Sequence, residues 1–151
     1  MSSIREQLIL AAVAALVASP PAGVPAVDRS RGYALEVANL PSGVVVPLKE
    51  EVDVVGGLGG PIVKRRLRVA IVWRGFRAAS PATAGPDTAL DAALNWGVKT
   101  LVGSNLGGLA MYLEEVSTSW EYEQGEKFFC KAVQEFEVHY TTRVADAEQR
   151  V

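Results

Sequence analysis

Period-two alternation of apolar and polar positions is clearest in two stretches of this chain. Within 128–141, Phe128, Cys130, Ala132, Phe136, Val138 and Tyr140 share one face; Lys131, Glu135, Glu137, His139 and Thr141 share the other. Within Ile62–Phe76, Val63, Leu67, Val69, Ile71 and Trp73 oppose Lys64, Arg66, Arg68 and Arg74. This is the pattern of half-buried strands. Each has a partner upstream. Val44–Val55 reads as a strand whose Pro47 marks an edge position or a bulge, because proline cannot donate to a ladder. Gly56–Pro61 would then be the tip of a hairpin over 44–76. Leu113–Glu123 reads as the first strand of a second hairpin over 109–143, turning at Gln124-Gly125-Glu126.

Two segments follow the helical period instead. Ser3-Ile4-Arg5-Glu6 has the form of a capping box and opens a helix over 3–18, which stops before Pro20-Pro21. Ile4, Leu8, Ala12, Ala15 and Leu16 line one side, and Ile9, Val13 and Val17 another. A helix this apolar all round needs cover on more than one face. A second helix over 87–102, capped by Asp87 or Thr88, carries Leu90, Leu94, Val98 and Leu101 as one stripe. It ends at Gly103, where Gly103–Gly108 turns the chain toward the second hairpin. Residues 19–32 read as a Pro/Ala-rich connector leading to a short strand at Tyr33–Val37, and Asp146–Val151 as a frayed tail. The order predicts a single α+β domain: a mixed, mainly antiparallel sheet with helices packed on one face.

At 151 residues, 49% of them hydrophobic and 21% charged, the chain can bury a core and is not disordered by composition. A net charge of −2 argues against a general nucleic-acid binder. The charge is polarised: Lys and Arg outnumber Asp and Glu through residue 75, and the reverse holds afterwards. That polarity suits head-to-tail contact between identical subunits. The apolar run 8–18 is too short to span a bilayer. It also lacks the basic leader of a signal peptide, since Glu6 offsets Arg5, and prolines follow it at once. It is expected to be a buried or partner-facing helix, with no membrane role.

Signals for chemistry are weak. The single cysteine, Cys130, sits on an apolar strand face and reads as a core residue. Gly57-Leu58-Gly59-Gly60 and Gly103–Gly108 lack the spacing and the following helix of a phosphate loop, so no nucleotide site and no cofactor are expected. The lone histidine, His139, has Glu137 two residues away, but a metal site would need further ligands converging from elsewhere. Glu50-Glu51 and Glu114-Glu115 point their members to opposite sides of a strand and form no local dyad. No catalytic or metal-binding residue is therefore expected.

Binding surfaces are the better candidates. Lys64, Arg66 and Arg68 form a basic strand face, and Glu115, Glu121 and Glu123 an acidic one that could pair with it within or between subunits. Trp120 is a candidate interface aromatic.

The run Leu113-Glu114-Glu115-Val116-Ser117-Thr118-Ser119-Trp120-Glu121-Tyr122-Glu123-Gln124-Gly125, followed by Phe136-Glu137-Val138-His139-Tyr140-Thr141-Thr142-Arg143, resembles the closing hairpin of tail-terminator proteins of long-tailed bacteriophages (tail-completion, minor tail protein U-like). The resemblance implies a virion protein of the tail and neck, assembled in the host cytoplasm. It would form a homohexameric ring on the tail tube, stop polymerisation and offer a surface to head-completion or neck proteins. It also implies that DNA passes through the ring without specific binding. On that footing Gly57, Leu58, Gly59, Gly60, Lys64, Arg66, Arg68, Trp120, Glu121 and Glu123 are interface candidates, and Glu50, Glu51, Glu114 and Glu115 are channel-lining candidates. The alternatives are another neck or head–tail joining protein, or a small α+β enzyme or ligand-binding domain.

Overall fold

The computed structural model describes residues 2–18, 20, 26–29, 42–56, 61–77, 88–123, 128–143 and 146–150. Most of the connector, the Tyr33–Val37 strand, Asp87, Gly57–Gly60 and the turn at Gln124-Gly125-Glu126 lie outside the described residues. Within them the chain runs α1 (Ile4–Val17), β1 (Ala26–Asp28), β2 (Ser42–Val55), β3 (Ile62–Arg77), α2 (Asp91–Leu101), β4 (Tyr112–Glu123), β5 (Phe128–Arg143) and β6 (Asp146–Arg150). This is the expected α+β class.

The six strands form one sheet in the order β1-β2-β3-β5-β4, with β6 also on β5. All pairings are antiparallel except β1 with β2, so the sheet is mixed. The segment expected to be a frayed tail is thus a strand. It pairs with β5 at Thr142 and Arg143, beyond the last β4 partner, His139. Backbone groups at the end of β5 that would otherwise lack a ladder gain one.

Both helices cover the same sheet face. Leu8, Ile9 and Leu16 of α1 and Leu90, Ala93 and Leu101 from the second helical segment close over Leu67, Val69, Ile71 and Trp73 of β3 and Ala132, Phe136 and Val138 of β5. Among the described residues the other face of the sheet carries no helix. In α1 the Ser3 hydroxyl accepts the Glu6 amide proton, as a capping box requires. The Glu6 carboxylate, however, accepts from Arg29 at 3.1–3.2 Å instead of reaching back to Ser3. An arginine next to β1 offers it a charge-assisted partner, which outweighs a single backbone N–H. The all-round apolar helix is covered only in part: Leu10 and Val17 are about half exposed. No helix of the described residues is long and apolar enough to cross a membrane.

The second helix departs from the sequence reading in two ways. It opens with a 3-10 turn at Thr88–Leu90, and its N-cap residue, Leu90, makes no side-chain cap. Its buried residues are Ala93, Gly97 and Leu101 rather than the Leu94 and Val98 of the expected stripe. The reason is close approach to the sheet. A Cβ on Gly97 would sit 2.4 Å from Gln134 Oε1 and 3.3 Å from Ile71 Cδ1, so at that position no side chain fits without displacing Gln134. Past the helix, Gly103 takes φ +78° and its N–H bonds Leu113 O, which steers the chain into β4.

Candidate functional site

Two β-bulges decide which side chains face where. The β2–β3 register slips between Pro47 and Lys49, leaving Leu48 unpaired, and the β4–β5 register slips between Glu115 and Ser117, leaving Val116 unpaired. An extra residue in one strand reverses the parity of everything beyond it. The first slip was foreshadowed by Pro47. The second had no such marker.

On the helix-covered face the first bulge places Glu50 opposite Leu67. Its carboxylate accepts from Arg5 Nε at 2.8 Å, from Arg65 Nη1 at 3.2 Å and from the Tyr140 hydroxyl. Arg65 also donates to Thr142 Oγ1 at 2.9 Å. The Glu50 side chain is 10% exposed. Burial acts to raise its pKa, but the donors Tyr140, Arg5 and Arg65 together hold it below the usual carboxylate range. Burial, then the Glu50 charge, push the Tyr140 hydroxyl upward. Glu50 was expected to line a channel. Instead it joins α1, β2, β3 and β5 within the subunit, so it is withdrawn from that role.

The same face contains Gln134, which interrupts the apolar series of β5 and is 1% exposed. Its Oε1 accepts from Trp73 Nε1 at 3.0 Å, and its Nε2 donates to Leu94 O at 2.9 Å. Neither cluster was recognised from the sequence. A polar residue at an apolar parity position, Gln134 or Arg65, was the available signal.

The uncovered face is a ladder of ion pairs. Arg66 reaches Glu51 at 2.8 Å and Asp53 at 3.5 Å. Arg68 reaches Glu137 at 3.2 Å and Glu135 at 3.4 Å, Lys49 pairs with Glu51 at 3.0 Å, and Lys131 with Glu121 at 2.7 Å. A shallow depression of about 240 Å³ lies over Leu48, Lys49, Glu51, Arg66, Arg68, Glu135 and Glu137. Its floor consists of charges already engaged with one another, so it offers no converging free polar group to a small ligand. Exposed pairs of this kind are screened by solvent and add little stability each, and the face as a whole is balanced rather than strongly charged.

Within the subunit the basic and acidic strands do not pair as the first of the two expected arrangements has it. Within the subunit, β5 stands between β3 and β4, so the partners of Arg66 and Arg68 come from β2 and β5 instead of Glu115, Glu121 and Glu123. Nor do those three glutamates share a face. Glu121 opposes Lys131 on the open face, while Glu115 opposes Phe136 on the helix side because of the second bulge. Of the other channel-lining candidates, Glu51 and Glu114 lie on the open face with Lys64, Arg66 and Arg68. Trp120 pairs with Ala132 on the helix side of β4 yet is 46% exposed. Gly57–Gly60 lie outside the described residues, as does the side chain of Glu123.

His139 projects on the open face beside Tyr112, whose ring stacks on it with centroids 4.1 Å apart. The described residues contain no nucleophile–histidine pair; His139 meets only Glu137 and Glu114 among charged groups.

No family model matches this chain, and no curated protein does. Among solved structures it is similar to a chain described as "Virion of native gene transfer agent (GTA) particle". The two share 18% sequence identity over 93% of this chain and 92% of the other, with a TM-score of 0.46.

Proposed function

We propose that this protein is a structural virion protein that caps a phage tail tube as a homo-oligomeric ring, with six subunits the expected number. Its partners in that role are its own copies, the tail-tube protein, and a head-completion or neck protein. The observation that carries the reading is a long sheet with one face closed by helices and the other open and balanced in charge among the described residues. Such a domain is built to present surface. The closing hairpin of β4 and β5, on which the tail-terminator resemblance stands, forms half of that surface.

Two strand edges are available for contact between copies. β4 has no ladder partner on its outer side among the described residues, and β2 has none beyond its short match with β1. Head-to-tail contact between unlike edges is heterologous, and it closes into a ring when the rotation permits. Trp120 and Tyr122, exposed on the helix side of β4, would be its apolar anchors. The open face would then look toward the channel, which keeps Glu51 and Glu114 as lining residues and moves Lys64, Arg66 and Arg68 from the interface candidates to that lining. With Arg66 and Arg68 held by carboxylates, duplex DNA finds few free cations to exchange for its counterions and passes without being gripped. Gly57–Gly60 would extend from the β2–β3 tip onto the tube.

The decisive experiment joins solution mass with electron microscopy of the purified protein mixed with tail tubes. Rings seated on tube ends, and shorter tubes when the protein is present during polymerisation, are expected. Deleting Gly57–Gly60 should preserve the fold and abolish seating. A monomer that leaves tube length unchanged would sink the reading, and rings that bind only neck or portal components would reassign it to a head–tail joining role.

A further inference from the structure

We propose that Glu114, Glu137 and His139 form a binding site for a divalent transition cation of the zinc type on the open sheet face. The proposal stands independently of the assembly reading. Sequence offers only Glu137 and His139; the third ligand arrives because β4 registers Glu114 directly opposite Glu137. A carboxylate oxygen of each glutamate and a ring nitrogen of His139 lie within 4.8 Å of one another.

The distances from the ring nitrogen to both carboxylates are compatible with a shared cation. Nε2 is 2.9 Å from Glu137 Oε1 and 3.7 Å from Glu114 Oε1. Two ligands bound at about 2.1 Å, with angles of about 90–120° at the metal, stand roughly 3.0–3.6 Å apart. Despite the short contact, Nε2 makes no aligned hydrogen bond and is itself buried. A buried ring nitrogen close to two carboxylate oxygens, and hydrogen-bonded to neither, is free to take a cation as its partner.

The surroundings hold these groups in place. The Tyr112 ring, stacked at 16° to the imidazole, fixes its plane. Arg68 donates to Glu137 Oε2, which leaves Oε1 turned toward His139, the kind of outer-shell orientation that metal ligands use. Two carboxylates and a neutral imidazole balance a dication. The nitrogen ligand favours zinc-like ions over magnesium or calcium, which prefer oxygen. Glu114 is 55% exposed, so the remaining coordination positions open to solvent.

The chain has one histidine, which makes the test site-specific. The ¹⁵N-labelled protein is titrated with zinc sulfate while imidazole resonances are followed by NMR, and stoichiometry is read by calorimetry. One zinc per chain with shifted imidazole nitrogens is expected, and magnesium chloride should leave the imidazole unmoved. Glu114→Gln, at an exposed position, should weaken zinc binding about tenfold or more, as loss of a ligand does. His139→Gln should abolish it, and Glu121→Gln should not alter it. Imidazole signals that ignore excess zinc, equal shifts with magnesium, or zinc binding undiminished in both Glu114→Gln and His139→Gln would overturn the site.

Discussion

Gln134→Leu is expected to destabilise the folded protein by about 2 kcal/mol, although leucine nearly matches the volume and is more apolar. The side chain is 1% exposed and bridges two layers: Oε1 takes the Trp73 indole proton from β3, and Nε2 donates to Leu94 O in α2. Leucine leaves the buried indole N–H without an acceptor, and an unsatisfied buried donor costs about 1–3 kcal/mol. The informative comparison is a double-mutant cycle with Trp73→Phe. Phenylalanine removes the orphaned N–H, so the double variant should be more stable than the sum of the singles by about 1 kcal/mol or more. Urea unfolding with an unchanged m-value measures this directly. Strict additivity would mean that the bridge contributes nothing and that Gln134 is merely tolerated.

The second large effect is expected at Glu50. Glu50→Gln should cost about 2–3 kcal/mol near neutral pH, below the full penalty for breaking a buried ion pair because Arg5 remains 45% exposed. The loss should depend on pH. The folded-state pKa of Glu50 lies below the ordinary glutamate value of 4.5, since hydrogen bonds from Tyr140, Arg5 and Arg65 outweigh the opposing effect of burial. A depressed carboxylate stabilises the fold above its unfolded pKa, and that stability drains as pH falls through the folded value. The gap between wild type and Glu50→Gln should therefore be widest above pH 4.5 and narrow progressively below it. Chemical denaturation at a series of pH values tests the claim. A gap that holds constant into the acid range would show that Glu50 acts by shape and not by charge. Tyr140→Phe should reproduce part of the effect, since it removes one of the three donors.

Much of this protein could be read from local pattern. The strands β3 and β5, both hairpins, the first helix with its serine cap, and the placement of both helices on one face all follow from period-two and period-3.6 spacing. Those signals are strong because each residue's burial is set by its own position in a regular element. Pro47 announced its bulge for the same reason: a missing N–H is a property of that residue alone.

What the sequence left open depends on partners distant along the chain. The bulge at Val116 has no local signature, yet it alone puts Glu115 on the helix side and Glu121 on the open face, undoing the expected acidic stripe. Glu50 gave no local hint of its partners; they come from residues 5, 65 and 140, which only the packing of α1 over β2, β3 and β5 brings together. The buried Ala93 and Gly97 in α2 lie over Gln134 and Ile71, so the stripe read from periodicity held at Leu90 and Leu101 and missed the two small residues between them. Strand order was likewise invisible: placing β5 between β3 and β4 hands Arg68 to Glu135 and Glu137, and sets Glu114 beside His139. Alternation along one strand tells which residues share a face, but register and strand order, which are long-range and cooperative, decide which of them meet.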